Sequence, residues 1–440
     1  MNRSGRLAVT LIAGLPLLAI GPAAAVVPPA VDSTLLPRPA PPAPVRPAEQ
    51  RLPCYQSSTG TSGAESSPLK LDAVWPLTRG AGQTIAVIDT GVARHRLLPR
   101  LIGGGDYVSR GDGTADCDGH GTIVAGIAAA APSAGFSGVA PDATVLAIRQ
   151  SSNKFAEDGA TSGVGDVGTL ALAVRTAADL GATVINISSV ACVPAADAPD
   201  DRALGAALSY AVDTRNVVVV AAAGNVGAGC PQQDGPVGQP GVPDWNGVRS
   251  VSSPAWYDDL VLAVGSAGSD GTASTFSLAG PWVDVAAPGE NLVSLHPDGQ
   301  RLIDTIGRDA PISGTSYAAP VVAGVAALVR ARFPQLSARE VMRRIEDTAR
   351  TPADGWNPYV GHGVVDALAA VSGSSPPVAA PTAPVSIVPA APAPTDTLPR
   401  RIAFGGAAVC VALTALTAVT LAASRLRRRG ADAGDHIAHD

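Results

Sequence analysis

The sequence predicts an α/β fold, a doubly wound parallel sheet with helices on both faces. Three observations lead there. Short β-branched runs at 84–88, 145–148, 184–187 and 217–220 have the length and apolarity of buried strands. Stretches at 121–130, 169–180 and 204–214 have helical character and alternate with those runs, as crossovers between parallel strands require. Finally, 440 residues, 46% of them hydrophobic, supply enough apolar side chain for one large core or two small ones.

From the N-terminus, Arg3 and Arg6 precede an apolar stretch at 7–20 and the small residues Ala23, Ala24 and Ala25. This is the pattern of an export signal, expected at 1–25 with cleavage after Ala25. Residues 26–66 form an N-terminal extension rich in Pro and Ala near its start, expected to run extended and without a core. The folded domain is expected at 67–372. Within it a long helix runs from Ser316 to 332 and stops before Pro334, and another opens at Ser337, with Glu340 completing a capping box. A second proline-rich linker covers 373–401. The uncharged apolar stretch at 402–424 is long enough to cross a membrane as a helix. Arg425, Arg427, Arg428 and Arg429 follow it, so the tail at 425–440 is expected in the cytoplasm and the domain outside it.

The net charge of −6 and the lack of a dense basic run before that tail exclude the electrostatic footprint of a nucleic-acid-binding protein.

Three segments carry candidate chemistry. The strand at 84–88 delivers Asp89-Thr90-Gly91 to the C-terminal edge of the sheet, where open α/β folds build their sites, although a turn would use the same residues. His120-Gly121-Thr122 opens a small-residue helix, where a lone histidine is ordinarily structural. Gly314-Thr315-Ser316-Tyr317-Ala318-Ala319-Pro320 places a hydroxyl at a helix N-terminus, the position of a common cap but also one that favours developing negative charge. Pro320 is expected in the first turn of that helix, where its missing N–H costs least. His95, His296, His362, His436 and His439 have no comparable surroundings.

Taken together, these segments resemble the subtilisin-like serine proteases, the subtilases, whose triad runs in the order Asp, His, Ser. The resemblance extends from Leu71-Asp72-Ala73-Val74-Trp75 to Gly361-His362-Gly363-Val364-Val365-Asp366, and includes Ala222-Ala223-Gly224-Asn225 and Val283 through Gly289. It implies a subtilisin-like sheet and a catalytic triad of Asp89, His120 and Ser316. It also implies Asn225 as the side-chain donor of an oxyanion hole, beside the backbone N–H of Ser316. A closer resemblance is to the mycosins, membrane-anchored subtilases that accompany type VII secretion systems. Gly80-Ala81-Gly82-Gln83, Asp116-Cys117-Asp118-Gly119-His120, Ile185 through Cys192, and Arg330 through Pro334 carry it.

That resemblance implies an endopeptidase cutting exported proteins outside the cytoplasmic membrane, with the type VII secretion membrane complex as partner. The alternative is a mainly structural subunit of that complex with dispensable hydrolysis. It also implies an extension that wraps the domain rather than a removable inhibitor. Asp112, Asp116 and Asp118 lack the regular spacing of a calcium loop and read as solvated loop carboxylates, so no metal and no cofactor is expected.

Cys54, Cys117, Cys192 and Cys230 fall in the part expected outside the membrane, whereas Cys410 falls within the 402–424 span. Strands 184–187 and 217–220 are expected to be parallel neighbours, so the loops after them leave the same sheet edge. Cys192 therefore pairs with Cys230, and Cys54 by remainder with Cys117.

Overall fold

Seven strands make one parallel sheet. They are β1 (Thr84–Asp89), β2 (Leu101–Asp106), β3 (Thr144–Arg149), β4 (Val184–Ile187), β5 (Val218–Ala222), β6 (Leu262–Ala267) and β7 (Val285–Pro288), in the spatial order β7-β6-β5-β4-β1-β3-β2. This is a computed structural model, describing residues 26–373 apart from 57–68, 70, 134, 161–162, 228, 234–237, 240 and 308–309. The expected export signal, the linker beyond residue 373, the 402–424 span with Cys410, and the tail all lie outside the described residues. Among those described, no helix is long and apolar enough to cross a membrane.

Residues of both parities are buried along β1, β3, β4, β5 and β6, so both faces of the sheet are covered. The covering elements form two pairs. Helix α1 (His120–Ala129) packs on α4 (Thr315–Arg332), and α2 (Val167–Asp179) packs on α3 (Arg202–Ser209). Helix α4 is the central element: it lies against β4 to β7 and is buried along almost its whole length. Its residues are small, and Gly324 faces α1 and the segment after it with no room for a Cβ, which would stand 2.5 Å from that of Val139 and 3.1 Å from the Ala128 carbonyl oxygen. Helix α5 (Ala338–Asp347) begins as expected, with the Ser337 hydroxyl and the Glu340 carboxylate capping each other's backbone.

The four expected strands are present, and β4 and β5 are parallel neighbours, Val184 facing Val218. The stretch expected as one helix at 204–214 is instead α3 followed by a π-helical turn at Tyr210–Thr214. Strands β2, β6 and β7 are additions to the four read from the sequence. In β2 the run Gly103-Gly104-Gly105 hides the strand signal. A Cβ on Gly103 would lie 2.7 Å from the Asp112 carbonyl oxygen, and one on Gly104 would lie 2.8 Å from both Leu146 and Ile148.

Residues 26–56 wrap the domain. Arg175 donates to the Pro37 carbonyl (3.2 Å), Arg46 pairs with Glu157 (2.7 Å), and Ala48–Gln50 forms an antiparallel ladder with Phe155–Glu157. Cys54 is joined to Cys117 (S–S 2.05 Å), immediately before the His120 segment. Cys192 and Cys230 are joined as well, linking the loops that follow β4 and β5.

Candidate active site

Asp89 is the last residue of β1 and is fully buried. Its Oδ1 accepts from the Thr90 N–H (2.7 Å) and from His120 Nδ1 (2.7 Å), while Oδ2 is buried without a hydrogen-bond partner. With the Nδ1 proton committed to a carboxylate, Nε2 is the nitrogen left to accept. His120 opens α1 after Gly119, whose φ of +83° is left-handed and suits glycine. Burial works to strip a proton from the imidazole, yet Asp89, with smaller help from Asp116 and Asp118, holds its pKa above the usual histidine value of 6.5.

Ser316 is the second residue of α4, so its N–H has no acceptor one turn back. Its hydroxyl donates to the Ser188 carbonyl (3.0 Å) rather than to His120. Ser188 is bonded to Ser316 a second time, donating its hydroxyl to the Ser316 carbonyl (2.7 Å). That second bond explains Pro320. Helix α4 starts at Thr315, so Pro320 lies beyond the first turn, and its missing N–H would orphan the Ser316 carbonyl, which Ser188 takes instead.

Asn225 follows β5. Its Oδ1 accepts from the Thr315 N–H (3.0 Å) and hydroxyl (3.1 Å), which fixes the amide and leaves Nδ2 as a donor in the cleft shared with Ser316 and His120. The cleft measures about 830 Å³. Its walls include Ser188, Ser189, Val190, Tyr55, Ile306 and Gly307.

The three aspartates before His120 are spent on protein donors. Asp112 accepts from the Thr114 N–H (2.9 Å) and hydroxyl (2.6 Å), and Asp118 from the Ser152 hydroxyl (2.5 Å) and the Asn153 N–H (2.8 Å). Asp116 accepts from the Thr90 hydroxyl (2.9 Å), the Gly119 N–H (2.7 Å), and the Thr122 N–H (2.9 Å) and hydroxyl (2.6 Å). Among the described residues no three His, Cys, Asp or Glu gather into a set able to hold a metal ion. Sequence reasoning missed Ser188, Asp116 as an organiser, and Tyr55. For Ser188 alone there was a signal, in the proline four residues after Ser316.

The profile of the subtilase family matches residues 80–363. Mycosin-4 of Mycobacterium tuberculosis is 57% identical over 454 aligned residues, covering 98% of both chains. The solved structure of the MycP3 protease from the type VII (ESX-3) secretion system matches with a TM-score of 0.73 and 47% identity, covering 79% of this chain and 100% of that one. A chain of the intact ESX-5 inner membrane complex matches with a TM-score of 0.73 and 40% identity, covering 90% of this chain and 100% of that one. The chain belongs to the subtilase family of serine proteases and, within that family, to the mycosins.

Proposed function

We propose that this chain is a membrane-anchored endopeptidase that cleaves exported proteins on the outer side of the cytoplasmic membrane and works within a type VII secretion membrane complex. The observation that carries the catalytic part is the Asp89–His120 hydrogen bond, set in one cleft with Ser316 at the start of α4 and Asn225. In this reading His120 Nε2 takes the Ser316 hydroxyl proton as Oγ bonds to the peptide carbonyl carbon. Asn225 Nδ2 and the Ser316 N–H receive the oxyanion. The C–N bond then breaks, the proton passes from His120 to the leaving amine, and water releases the acyl group by the same route in reverse. Asp89 keeps the imidazole in the productive tautomer and stabilises its charged form. The chemistry calls on no cofactor.

The domain boundaries expected from the sequence fit this reading: an export signal at 1–25, a domain at 67–372, a linker at 373–401, a span at 402–424 and a cytoplasmic tail at 425–440. The inner membrane complex that contains a similar chain supports both the location and the partner. It also favours a second reading, in which the domain chiefly stabilises such a complex and hydrolysis is dispensable.

The test of the catalytic reading is a fluorophosphonate probe on the full-length protein. Labelling should map to Ser316 and vanish in Ser316→Ala. A probe attached elsewhere, or peptide hydrolysis persisting in Ser316→Ala, would sink it.

A further inference from the structure

Tyr55 belongs to the N-terminal extension, yet it lines the same cleft as His120 and Ser316. Several contacts hold it there. Its N–H donates to the Cys117 carbonyl (2.7 Å), and its neighbour Cys54 is disulfide-bonded to Cys117, with the Cα atoms 4.4 Å apart. Its hydroxyl donates to the Thr305 carbonyl (3.3 Å), and its ring lies 6.0 Å from that of His296. The ring also covers Gly119, the residue before His120: a Cβ there would stand 3.2 Å from Tyr55 Cδ1. An aromatic side chain fixed at both its backbone and its hydroxyl is a preorganised contact surface, with little entropy left to lose when a ligand meets it.

Which half of a substrate meets that surface follows from the path of the proton, and so rests on the reading of Ser316 and His120 given above. The imidazole delivers its proton to the leaving amine, so the segment after the scissile bond departs past His120. Ser188 is bonded to Ser316 in both directions, and Ser189 and Val190 line the cleft beyond it. Tyr55 stands over Gly119, the residue before His120, and lines the cleft together with Ile306 and Gly307, which follow its Thr305 partner.

We propose that Tyr55 is a specificity-determining residue contributed by the N-terminal extension: it contacts the first residues after the scissile bond and favours apolar side chains there over charged ones. The extension is then part of the substrate-binding surface, and the Cys54–Cys117 bond is what keeps that part in register with His120.

The test compares two substrates of the full-length protein in detergent. One is a peptidyl anilide with nothing but the aromatic amine after the scissile bond. The other is an internally quenched peptide with the same acyl half and three residues beyond the cut. In Tyr55→Ala the ratio of kcat/KM for the peptide to that for the anilide should fall about tenfold, the scale of one lost contact in a specificity pocket. Library profiling should show the preference relaxing only at positions after the cut. A ratio equal to wild type, or relaxation before the cut, overturns the proposal. If Tyr55→Ala does not fold, Tyr55→Trp serves: the larger ring should shift the preference after the cut to smaller residues, and an unshifted profile counts against the proposal. Wild-type protein that hydrolyses neither substrate overturns the catalytic reading itself, a different failure from a Tyr55 variant with an unaltered ratio.

Discussion

Thr122 gives Asp116 two hydrogen bonds at once: its backbone N–H (2.9 Å) and its hydroxyl (2.6 Å) meet the same carboxylate oxygen. The other oxygen accepts from Thr90 and from Gly119. One carboxylate thereby ties the end of β1, which carries Asp89, to the start of α1, which carries His120. Burial pushes this carboxyl up to about 6, although all four hydrogen bonds favour the charged form.

Asp116→Asn replaces one acceptor with a donor that faces donors, and should lower kcat for peptide hydrolysis about tenfold by loosening His120. Its effect on stability should depend on pH. A carboxyl raised from 3.8 to about 6 holds its proton more tightly in the folded chain. Its contribution is therefore fully present below 3.8 and lost as the pH climbs through about 6. The melting temperature of the variant minus that of wild type should rise between those limits. A difference that stays flat would refute the assignment.

In the proposed mechanism His120 must be neutral to take a proton from Ser316, and Asp89 holds its pKa above 6.5 against the effect of burial. The kcat/KM profile should fall on acidification with its inflection above 6.5. Asp118→Asn removes one of the smaller charges that raise it and should move the inflection down. An inflection that moves upward would contradict this account.

Asn225→Ala should reduce kcat about 10²–10³-fold with little change in KM, a loss carried over from subtilisin, where it was established. Since Asn225 Oδ1 also holds Thr315, the assay needs a check that phosphonate labelling of Ser316 still occurs. A KM effect with unchanged kcat would assign Asn225 to ground-state binding instead.

Asp201 lies away from the cleft and is fully buried, accepting from the Ser253 hydroxyl (2.5 Å), Trp256 Nε1 (2.8 Å) and the Tyr257 hydroxyl (2.8 Å). Asp201→Ala strands the Ser253 and Trp256 donors, while the Tyr257 hydroxyl keeps the Asp201 carbonyl (3.1 Å), and should cost about 3 kcal/mol of stability. Thermal unfolding would read this, and an unshifted melting temperature would show that water replaces the carboxylate.

The two functional readings part in the cell. Exported-protein levels compared among the wild type, a deletion strain and the same strain carrying Ser316→Ala should show secretion lost on deletion and kept with Ser316→Ala. Equal loss in both, at equal membrane abundance, would make hydrolysis itself the requirement and remove the structural reading.

What the sequence made legible is what local chemistry specifies. Short apolar runs gave β1, β3, β4 and β5, and three small-residue segments pointed to Asp89, His120 and Ser316 because each combines a special backbone position with a reactive group. Strand β2 was illegible because its glycines answer to Asp112, Leu146 and Ile148, which come from elsewhere in the chain. Tyr55 was illegible for a similar reason. Nothing in a proline-rich extension marks one aromatic as facing a cleft, and its place is set by a disulfide spanning 63 residues.

The position of α4 has a consequence for the chain as it is being made. A ribosome produces Asp89 and His120 long before Ser316, and it produces Ser316 at the start of the helix that covers β4 to β7. Until that helix has been synthesised, β4 to β7 lack its cover on one face and, in the proposed mechanism, the growing polypeptide has no nucleophile. Covering β4 to β7 and acquiring the serine proposed as nucleophile are thus a single event, so on that proposal a chain that ends before Ser316 cannot digest its neighbours.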